Sequence, residues 1–199
     1  RCIPNIVIGA PSDENECRQM LYTAFQHPGP AAIRYPRGTG PGALIADVME
    51  QLPLGRSVEV RSGKQVAILN FGNLLPQAIS AAEQLNATVV DMRWVKPMDE
   101  EKLLTMSRQY ELLVTLEENA VAGGAGTAVN QYLATQGGGV PILNLGLPDL
   151  FIEHGSHADQ LTWTQLNAAS IYERISAKLT TLQVYAPSSN PSQMTRSST

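Results

Sequence analysis

Four runs rich in Val, Ile and Leu recur after Gly63, and the gap between successive runs is long enough for one helix. They lie at 65–71, 88–92, 112–117 and 140–145. None of them alternates strictly between polar and apolar residues, as is typical of parallel strands buried on both faces. Because neighbouring parallel strands need a crossover connection, usually a helix, this pattern predicts a doubly wound, mostly parallel α/β sheet.

Amphipathic segments fill the gaps between the predicted strands. Helices are predicted at 74–85, at 99–110, after the glycines at 123 to 126 and at about 168–182. In the second of these helices, the Asp99 side chain is well placed to cap the first turn. Strands and helices in this order are typical of one α/β domain.

The sequence pattern of residues 1–43 predicts a separate β-α-β unit. Strands are predicted at 5–10 and 31–33, and a helix at 13–27 is expected to begin with Ser12 as its N-cap. The apolar face of this helix consists of Cys17, Leu21, Ala24 and Phe25. Because two strands and one helix cannot close a core alone, we expect the unit to pair with sequence outside this chain rather than to dock on residues 64–184.

Residues 44–63 lack a regular pattern and are predicted to link the two units. Gly and Pro recur here, a weak helical patch covers 44–49, and an edge strand is predicted at 57–61. The C-terminal unit is expected to cover 64–184. The final residues, 185–199, are rich in Ser, Thr and Pro and poor in apolar residues, so we expect a disordered tail.

The composition limits the classes of partner. Of 199 residues, 43% are hydrophobic, and 14 Lys and Arg against 18 Asp and Glu give a net charge of −4. This balance argues against nucleic acid and against an acidic membrane surface as partners. No apolar run approaches the roughly 18 residues of a membrane span, so a soluble, cytoplasmic protein is expected. Since the chain lacks an initial Met and enters a strand almost at once, we expect a fragment of a longer polypeptide.

Neither the cysteines nor the histidines suggest a metal site. Cys2 and Cys17 lack the spacing of metal ligands, and reduced thiols are expected. The histidines, His27, His154 and His157, are too few and too irregularly spaced for a metal centre, although the last two could share one face of a turn. Solvated or hydrogen-bonded histidines are the favoured interpretation.

Two arginines follow the short predicted strand at 31–33. Arg34 and Arg37 lie at its carboxyl end, on a loop rich in Pro and Gly. Ligands of open α/β sheets bind beyond the carboxyl ends of the strands, and guanidinium groups suit the oxygens of carboxylate and phosphate. Two solvated arginines beside a turn would give the same pattern. From the residues alone, both interpretations stay open.

A second candidate segment joins a predicted strand to a predicted helix. Glu117 and Glu118 end the strand, and Gly123 and Gly124 lead into the helix. Backbone N–H groups at such a turn can bind an anion, but the spacing is not that of a nucleotide motif. Glycines that permit tight helix–sheet or subunit packing are therefore favoured. Adjacent strand residues point to opposite faces, so the two carboxylates are not expected to share one site.

A third segment follows the predicted strand at 88–92 and carries Arg93 and Lys96 near the same edge of the sheet. These side chains could bind anions, and a salt-bridged loop would explain them equally well. No Gly-x-Ser-x-Gly motif is present, so a hydrolase triad has no anchor. The residues alone indicate an α/β protein with an arginine-bearing site and without a complete catalytic set.

Five segments occur in an order that is typical of one enzyme family. They are 11–19 (PSDENECRQ), 34–38 (RYPRG), 91–97 (DMRWVKP), 117–126 (EENAVAGGAG) and 145–149 (LGLPD). In this order they resemble the carboxyl-terminal third of 1-deoxy-D-xylulose-5-phosphate synthases, a bacterial family of thiamine-diphosphate enzymes in the transketolase superfamily. The resemblance covers nearly the whole chain.

The resemblance implies the end of a pyrimidine-binding domain at 1–43, a linker at 44–63 and a transketolase C-terminal domain at 64–184. It implies an enzyme that condenses pyruvate with D-glyceraldehyde 3-phosphate with loss of CO2, the first step of non-mevalonate isoprenoid synthesis. Thiamine diphosphate and Mg²⁺ would be held by N-terminal domains that this chain lacks, so the fragment alone is expected to be inactive. A homodimer that includes those domains is also implied.

Within this chain, the resemblance implies one substrate contact and no catalytic, cofactor-binding or metal-binding residue. Arg37 matches the arginine that holds the phosphate of the aldehyde, and Arg34 is the second choice. A possible interface role is left for four residues, Glu117, Glu118, Gly123 and Gly124. Two alternatives stay open, namely a non-catalytic dimerisation module and a 2-oxoacid dehydrogenase E1 beta-type subunit.

Overall fold

A computed structural model describes residues 1–185. In chain order its elements are β1 (Val7–Gly9), α1 (Glu14–Gln26), β2 (Ala31–Ile33), β3 (Val58–Arg61), β4 (Val66–Phe71), α2 (Leu75–Leu85), β5 (Thr88–Asp91), β6 (Trp94–Lys96), α3 (Glu100–Gln109), β7 (Leu112–Ala120), α4 (Ala125–Thr135), β8 (Ile142–Leu147), α5 (His157–Trp163) and α6 (Ala168–Tyr185). Apart from Tyr185, the predicted disordered tail lies outside the described residues.

The larger sheet contains five strands in the order β3-β5-β4-β7-β8. β5, β4, β7 and β8 run parallel to one another, and β3 forms an antiparallel edge. Helices α2 and α6 pack on one face, and α3 and α4 pack on the other. Every residue of β4 is buried, which explains its apolar sequence without alternation. The predicted doubly wound, mostly parallel sheet is therefore confirmed.

The strand order reverses beside β4, which is the first parallel strand of this sheet along the chain and lies between β5 and β7. In α/β sheets, the crevice outside the carboxyl ends of the strands at such a reversal is where ligands bind. Asn73 lies just beyond β4, and Glu118 lies near the carboxyl end of β7. These two residues mark the place where a ligand site is expected.

The N-terminal unit forms a second, three-stranded sheet in the order β2-β1-β6. β1 pairs parallel with β2 and antiparallel with β6. The expectation that this unit would not dock on residues 64–184 was therefore wrong, because β6 comes from the C-terminal unit. The sequence does not predict β6, since three residues between Arg93 and Pro97 are too few to show a period. Trp94 of β6 is fully buried and packs with Val7 and Met20.

Helix α1 turns a polar face inward, contrary to the prediction. Of the expected apolar face, Leu21 is 48% exposed and Phe25 is 85% exposed. Gln19 and Thr23 are buried instead, together with Met20. The hydrophobic spacing of this helix therefore misidentified the side that faces the protein.

Contacts with the linker explain why a polar face of α1 is buried. The side-chain amide of Gln19 donates to the carbonyl oxygen of Val48 at 3.2 Å, and the hydroxyl of Thr23 accepts from the backbone N–H of Leu52 at 2.8 Å. Because residues 44–57 of the linker form no helix or strand, polar side chains of α1 satisfy backbone groups there. The predicted helical patch at 44–49 was therefore wrong.

The N-cap of α1 is Asp13 rather than the predicted Ser12. The Asp13 carboxylate accepts from the backbone N–H of Glu16 at 2.7 Å. Ser12 donates instead to the Glu16 carboxylate, from its backbone N–H at 2.8 Å and from its hydroxyl at 3.0 Å. This reciprocal arrangement satisfies donors at the start of the helix and fixes the Glu16 side chain.

A buried charge cluster joins α1 to the loop between β5 and β6. Nε of Arg93 donates to the Glu16 carboxylate at 2.6 Å, and the Arg93 backbone N–H donates to Asp91 at 3.2 Å. Burial, followed by the nearby Glu16 carboxylate, raises the pKa of Asp91 from 3.8 to about 8. Lys96 donates to the carbonyl oxygen of Ile3 at 2.6 Å. Of the two interpretations left open for Arg93, the salt-bridged loop is the one that the structure shows.

This cluster is expected to contribute less stability as the pH rises. Between 3.8 and about 8, Asp91 holds a proton in the folded chain but not in the unfolded chain, so its contribution to the free energy of unfolding falls with pH in that window. Asp91→Asn imitates a carboxyl group that stays protonated at every pH. It should therefore weaken the dependence of the free energy of unfolding on pH. Urea unfolding at several pH values, followed by the fluorescence of buried Trp94, measures it. An unchanged pH profile in Asp91→Asn would contradict the assignment, with the exposed Asp47→Asn as the matched control.

Candidate functional site

A cleft of about 730 Å³ is lined by both the N-terminal unit and the larger sheet. The N-terminal unit contributes the start of α1 and the loop after β2, including Tyr35 and Arg37. The remainder of the lining comes from Met49 of the linker and from the starts of α2 and α5, including Asn73, Gln77 and His157. The cleft therefore opens beside the carboxyl end of β4, at the reversal of strand order where α/β proteins bind ligands.

The two arginines after β2 have different surroundings. Arg37 lines the cleft, is exposed, and has no hydrogen-bond or ion-pair partner among residues 1–185. Arg34 donates from Nη2 to the carbonyl oxygen of Glu118 and lines a separate cavity of about 190 Å³. Arg37 is therefore available to an anion in the cleft, whereas Arg34 tethers the end of β7.

The carboxylate of Glu118 bonds to two side chains that come from different parts of the chain. One oxygen of its carboxylate lies 2.8 Å from Nε2 of His157, and the other accepts from the side-chain amide of Asn73. The Glu118 side chain is 19% exposed and that of His157 is 54% exposed. Because Asn73 holds the carboxylate and the carboxylate holds the imidazole, the histidine ring has a defined orientation at the cleft.

The sequence alone predicts only part of the cluster formed by Asn73, Glu118 and His157. A solvated or hydrogen-bonded histidine is the favoured interpretation of His157 from the sequence, and the contact with Glu118 confirms the hydrogen bond. No sequence pattern singles out Asn73, although it lies at the carboxyl end of a predicted strand. Glu118 and His157 are 39 residues apart, so their pairing depends on the sheet topology and cannot be found from spacing.

Glu117 points away from the cleft and caps α4 from inside the protein. Its two carboxylate oxygens accept from the backbone N–H groups of Ala125 at 2.7 Å and Gly126 at 2.9 Å. A Cβ atom on Gly124 would collide with this carboxylate, and one on Gly126 would collide with the Thr115 hydroxyl. The favoured interpretation, in which the glycines permit tight helix–sheet packing, is confirmed. The anion at this helix N-terminus is the protein's own.

The four residues proposed as an interface are divided between interior and surface. Glu117 and Gly124 are buried within this chain, Glu118 is partly buried, and Gly123 is exposed with φ 74°. Of the four, only Glu118 and Gly123 are accessible at the surface of this chain. The interface role of this segment stays a prediction.

Two titratable groups of the cleft have pKa values set by their surroundings. Backbone N–H groups, its own first and then that of Gly42, lower the pKa of Glu14. Burial, and then the negative charges of Asp13 and Glu16, raise the pKa of Cys17. The thiol is therefore kept protonated, and a protonated thiol is a poor nucleophile.

The described cleft residues include groups that can bind an oxyanion. Arg37 and His157 supply positive or hydrogen-bonding groups, and Asn73 supplies an amide. Within residues 1–185, no three His, Cys, Asp or Glu side chains converge as metal ligands. The same part of the chain has no helix that is both long and apolar enough to cross a bilayer.

Residues 55–171, more than half of the chain, match the family model described as the C-terminal domain of transketolase. The chain belongs to this family. Relatives named 1-deoxy-D-xylulose-5-phosphate synthase, from Cellvibrio japonicus and Yersinia pseudotuberculosis, are each 56% identical to the chain over 179 residues. The synthase of Saccharophagus degradans is 56% identical over 175 residues. These findings confirm the resemblance to the synthase family.

The matches cover most of this chain but only part of each relative. They include 90%, 90% and 88% of the chain, and 28%, 29% and 27% of the proteins of C. japonicus, Y. pseudotuberculosis and S. degradans, respectively. The chain thus spans little more than a quarter of the length of these curated relatives. Most of the relatives' length therefore has no counterpart in this chain.

Solved structures share the fold. A structure described as a split gene transketolase, inactive beta4 tetramer, is 31% identical with a TM-score of 0.80, over 90% of this chain and 59% of that chain. The transketolase of Campylobacter jejuni is 14% identical with a TM-score of 0.62, over 89% of this chain and 27% of that chain. The second likeness is one of fold alone.

The capping role of Glu117 predicts a loss of stability on its replacement. Glu117→Gln keeps the size of the side chain but places an NH2 group against one of two buried N–H donors, which should lower the free energy of unfolding by about 1–3 kcal/mol. Urea unfolding measures the change. Glu173→Gln, at an exposed position of α6, is the matched control. Equal stability of the two variants would contradict the capping role.

Proposed function

We propose that this chain is the carboxyl-terminal part of a 1-deoxy-D-xylulose-5-phosphate synthase, a cytoplasmic bacterial transferase. The complete enzyme would condense pyruvate with D-glyceraldehyde 3-phosphate with loss of CO2, as the first step of non-mevalonate isoprenoid synthesis. The observation that carries this proposal is the 56% identity to synthases over 179 residues, 90% of this chain. The predicted division into 1–43, 44–63 and 64–184 is part of the proposal.

Arg37 is proposed to bind the phosphate of D-glyceraldehyde 3-phosphate. It lines the cleft, and no described residue neutralises its charge. A guanidinium group can donate two parallel hydrogen bonds to phosphate oxygens, and such charge-assisted bonds are stronger than neutral ones. Arg34 is the weaker candidate, because its Nη2 already donates to the Glu118 carbonyl oxygen. Its proposed role is to hold the end of β7 beside the substrate.

The chemistry of the reaction is proposed to depend on thiamine diphosphate and Mg²⁺. The cofactor would supply the carbanion that pyruvate decarboxylation requires. In this proposal the cleft residues bind the phosphate of the substrate, and residues 1–185 contain no converging set of three metal-ligating side chains. We therefore assign the cofactor to the remaining length of the longer protein, and the working form is proposed to be a homodimer.

Arg37→Ala in the complete protein should weaken the use of D-glyceraldehyde 3-phosphate. Loss of a charge-assisted contact worth about 1.5–3 kcal/mol predicts a rise in KM for this substrate of about 10- to 150-fold. The KM for pyruvate should change little, because pyruvate carries no phosphate. Steady-state kinetics with each substrate varied in turn measures the effect. Arg108→Ala, on the exposed surface of α3, is the control, and an unchanged KM for the phosphorylated substrate would refute the assignment.

Cofactor binding should separate the enzyme fragment from an independent module. Isothermal titration of thiamine diphosphate in the presence of Mg²⁺ should give saturable heat with the complete protein and none with this chain alone. Sedimentation of the complete protein should show a dimer. Tight cofactor binding by the 199-residue chain alone would contradict the proposed division of labour.

A further inference from the structure

The cleft contains more than one group that can meet a phosphate. Its basic lining residues are Arg18, Arg37 and His157. Arg18 is already engaged, since its guanidinium donates to the backbone carbonyl oxygens of Ala46 and Asp47 and so holds the linker against α1. Among the described residues, this leaves Arg37 and His157 as the basic groups of the cleft with unused hydrogen-bonding capacity.

The acidic groups of the cleft lining are also engaged within the protein. The Asp13 carboxylate caps α1 by accepting from the backbone N–H of Glu16. The Glu14 carboxylate accepts from the backbone N–H groups of Gly42 at 2.8 Å and Ala43 at 3.1 Å. These charges are partly offset by the dipoles of the amides that they accept from, which reduces their repulsion of an anion nearby.

The imidazole of His157 is held by one nitrogen and open at the other. Its Nε2 lies 2.8 Å from the Glu118 carboxylate, which Asn73 holds from the other side. An ionised carboxylate can only accept, so Nε2 carries a proton. Nδ1 has no hydrogen-bond partner among residues 1–185, and more than half of the side chain is exposed.

Nδ1 can pair with a phosphate monoester in either state of the ring. In the doubly protonated ring, Nδ1 donates to a phosphate oxygen. In the neutral ring, Nδ1 accepts from the P–OH group of a phosphate monoanion. The fixed carboxylate on the other side of the ring provides the orientation that such a contact needs.

We propose that His157, positioned by Glu118, is a second ligand of the phosphate group of the aldehyde substrate and helps the enzyme to select phosphorylated acceptors. This inference rests on the proposed function and extends its phosphate site beyond Arg37. Arg37 reaches the phosphate from the N-terminal unit, and His157 reaches it from the C-terminal unit. Glu118 is a positioning residue in this scheme and does not touch the substrate.

The test compares two acceptors in the complete protein. His157→Ala should lower kcat/KM for D-glyceraldehyde 3-phosphate about tenfold more than it lowers kcat/KM for unphosphorylated D-glyceraldehyde, because one charge-assisted contact with the phosphate is lost. His157→Asn, which retains a polar group near the position of Nδ1, should lose less. Glu118→Gln should shift the ratio of the two acceptors in the same direction. His154→Ala, an exposed histidine outside the cleft lining, is the matched control.

The outcomes separate this inference from the proposed function. A selective loss for the phosphorylated acceptor supports the role of His157. Equal losses for both acceptors, or no loss for either in His157→Ala and Glu118→Gln, would overturn it while the synthase assignment stands. If the unmodified protein fails to convert pyruvate and D-glyceraldehyde 3-phosphate, the proposed function itself fails. Circular dichroism of each variant identifies unfolding, in which case His157→Asn and Glu118→Gln carry the test.

Discussion

The guanidinium group of Arg93 lies 2.6 Å from the carboxylate of Glu16, and this ion pair fastens α1 to the loop between β5 and β6. Glu16 is buried, and a buried carboxylate without a partner would cost several kcal/mol. Ser12 and Arg93 provide its partners from opposite sides. The added carboxyl of Asp91 is tolerated because it holds a proton, as its raised pKa of about 8 indicates. The two units are thus joined by a cluster in which each group depends on the others.

The shape of the cleft depends on this junction between the two units. Glu16 fixes the start of α1, and Glu14 in the same turn holds the backbone after the arginine-bearing loop at Gly42. On the larger sheet, the reversal of strand order places Asn73 and Glu118 at neighbouring strand ends, and Glu118 orients His157. Arg37 and His157 therefore belong to different units and line one cleft only because the units are docked.

Local sequence patterns were sufficient for the larger sheet and insufficient for the junction. Buried parallel strands are recognisable as runs of Val, Ile and Leu, so β4, β5, β7 and β8 could be predicted. The burial of α1 depends on the linker, whose backbone groups need partners such as Gln19 and Thr23. The hydrophobic periodicity of a helix does not show which of its polar side chains will bond to the backbone of a linker. β6 is too short to show a pattern, and the short helix α5 was missed for the same reason.

The candidate site could be predicted only in part, for a similar reason. Arg34 and Arg37 are three residues apart, and residue type alone does not distinguish them. The family resemblance ranks Arg37 first, and the fold adds that Arg34 already donates to the Glu118 carbonyl oxygen. Glu117 and Glu118 are adjacent and serve different purposes, because a strand sends them to opposite faces. The partnership of Glu118 with His157 depends on the fold, which brings the first residue of α5 beside a residue near the carboxyl end of β7. Residue types at strand ends indicated the region of the site, and tertiary contacts decided the roles.

A crystal structure of the complete protein with D-glyceraldehyde 3-phosphate tests most directly whether the two units together form a phosphate site. The phosphate is expected within about 3 Å of both the Arg37 guanidinium group and Nδ1 of His157, with Glu118 still bonded to Nε2. A phosphate bound elsewhere, with both side chains in solvent, would contradict a phosphate site shared by the two units.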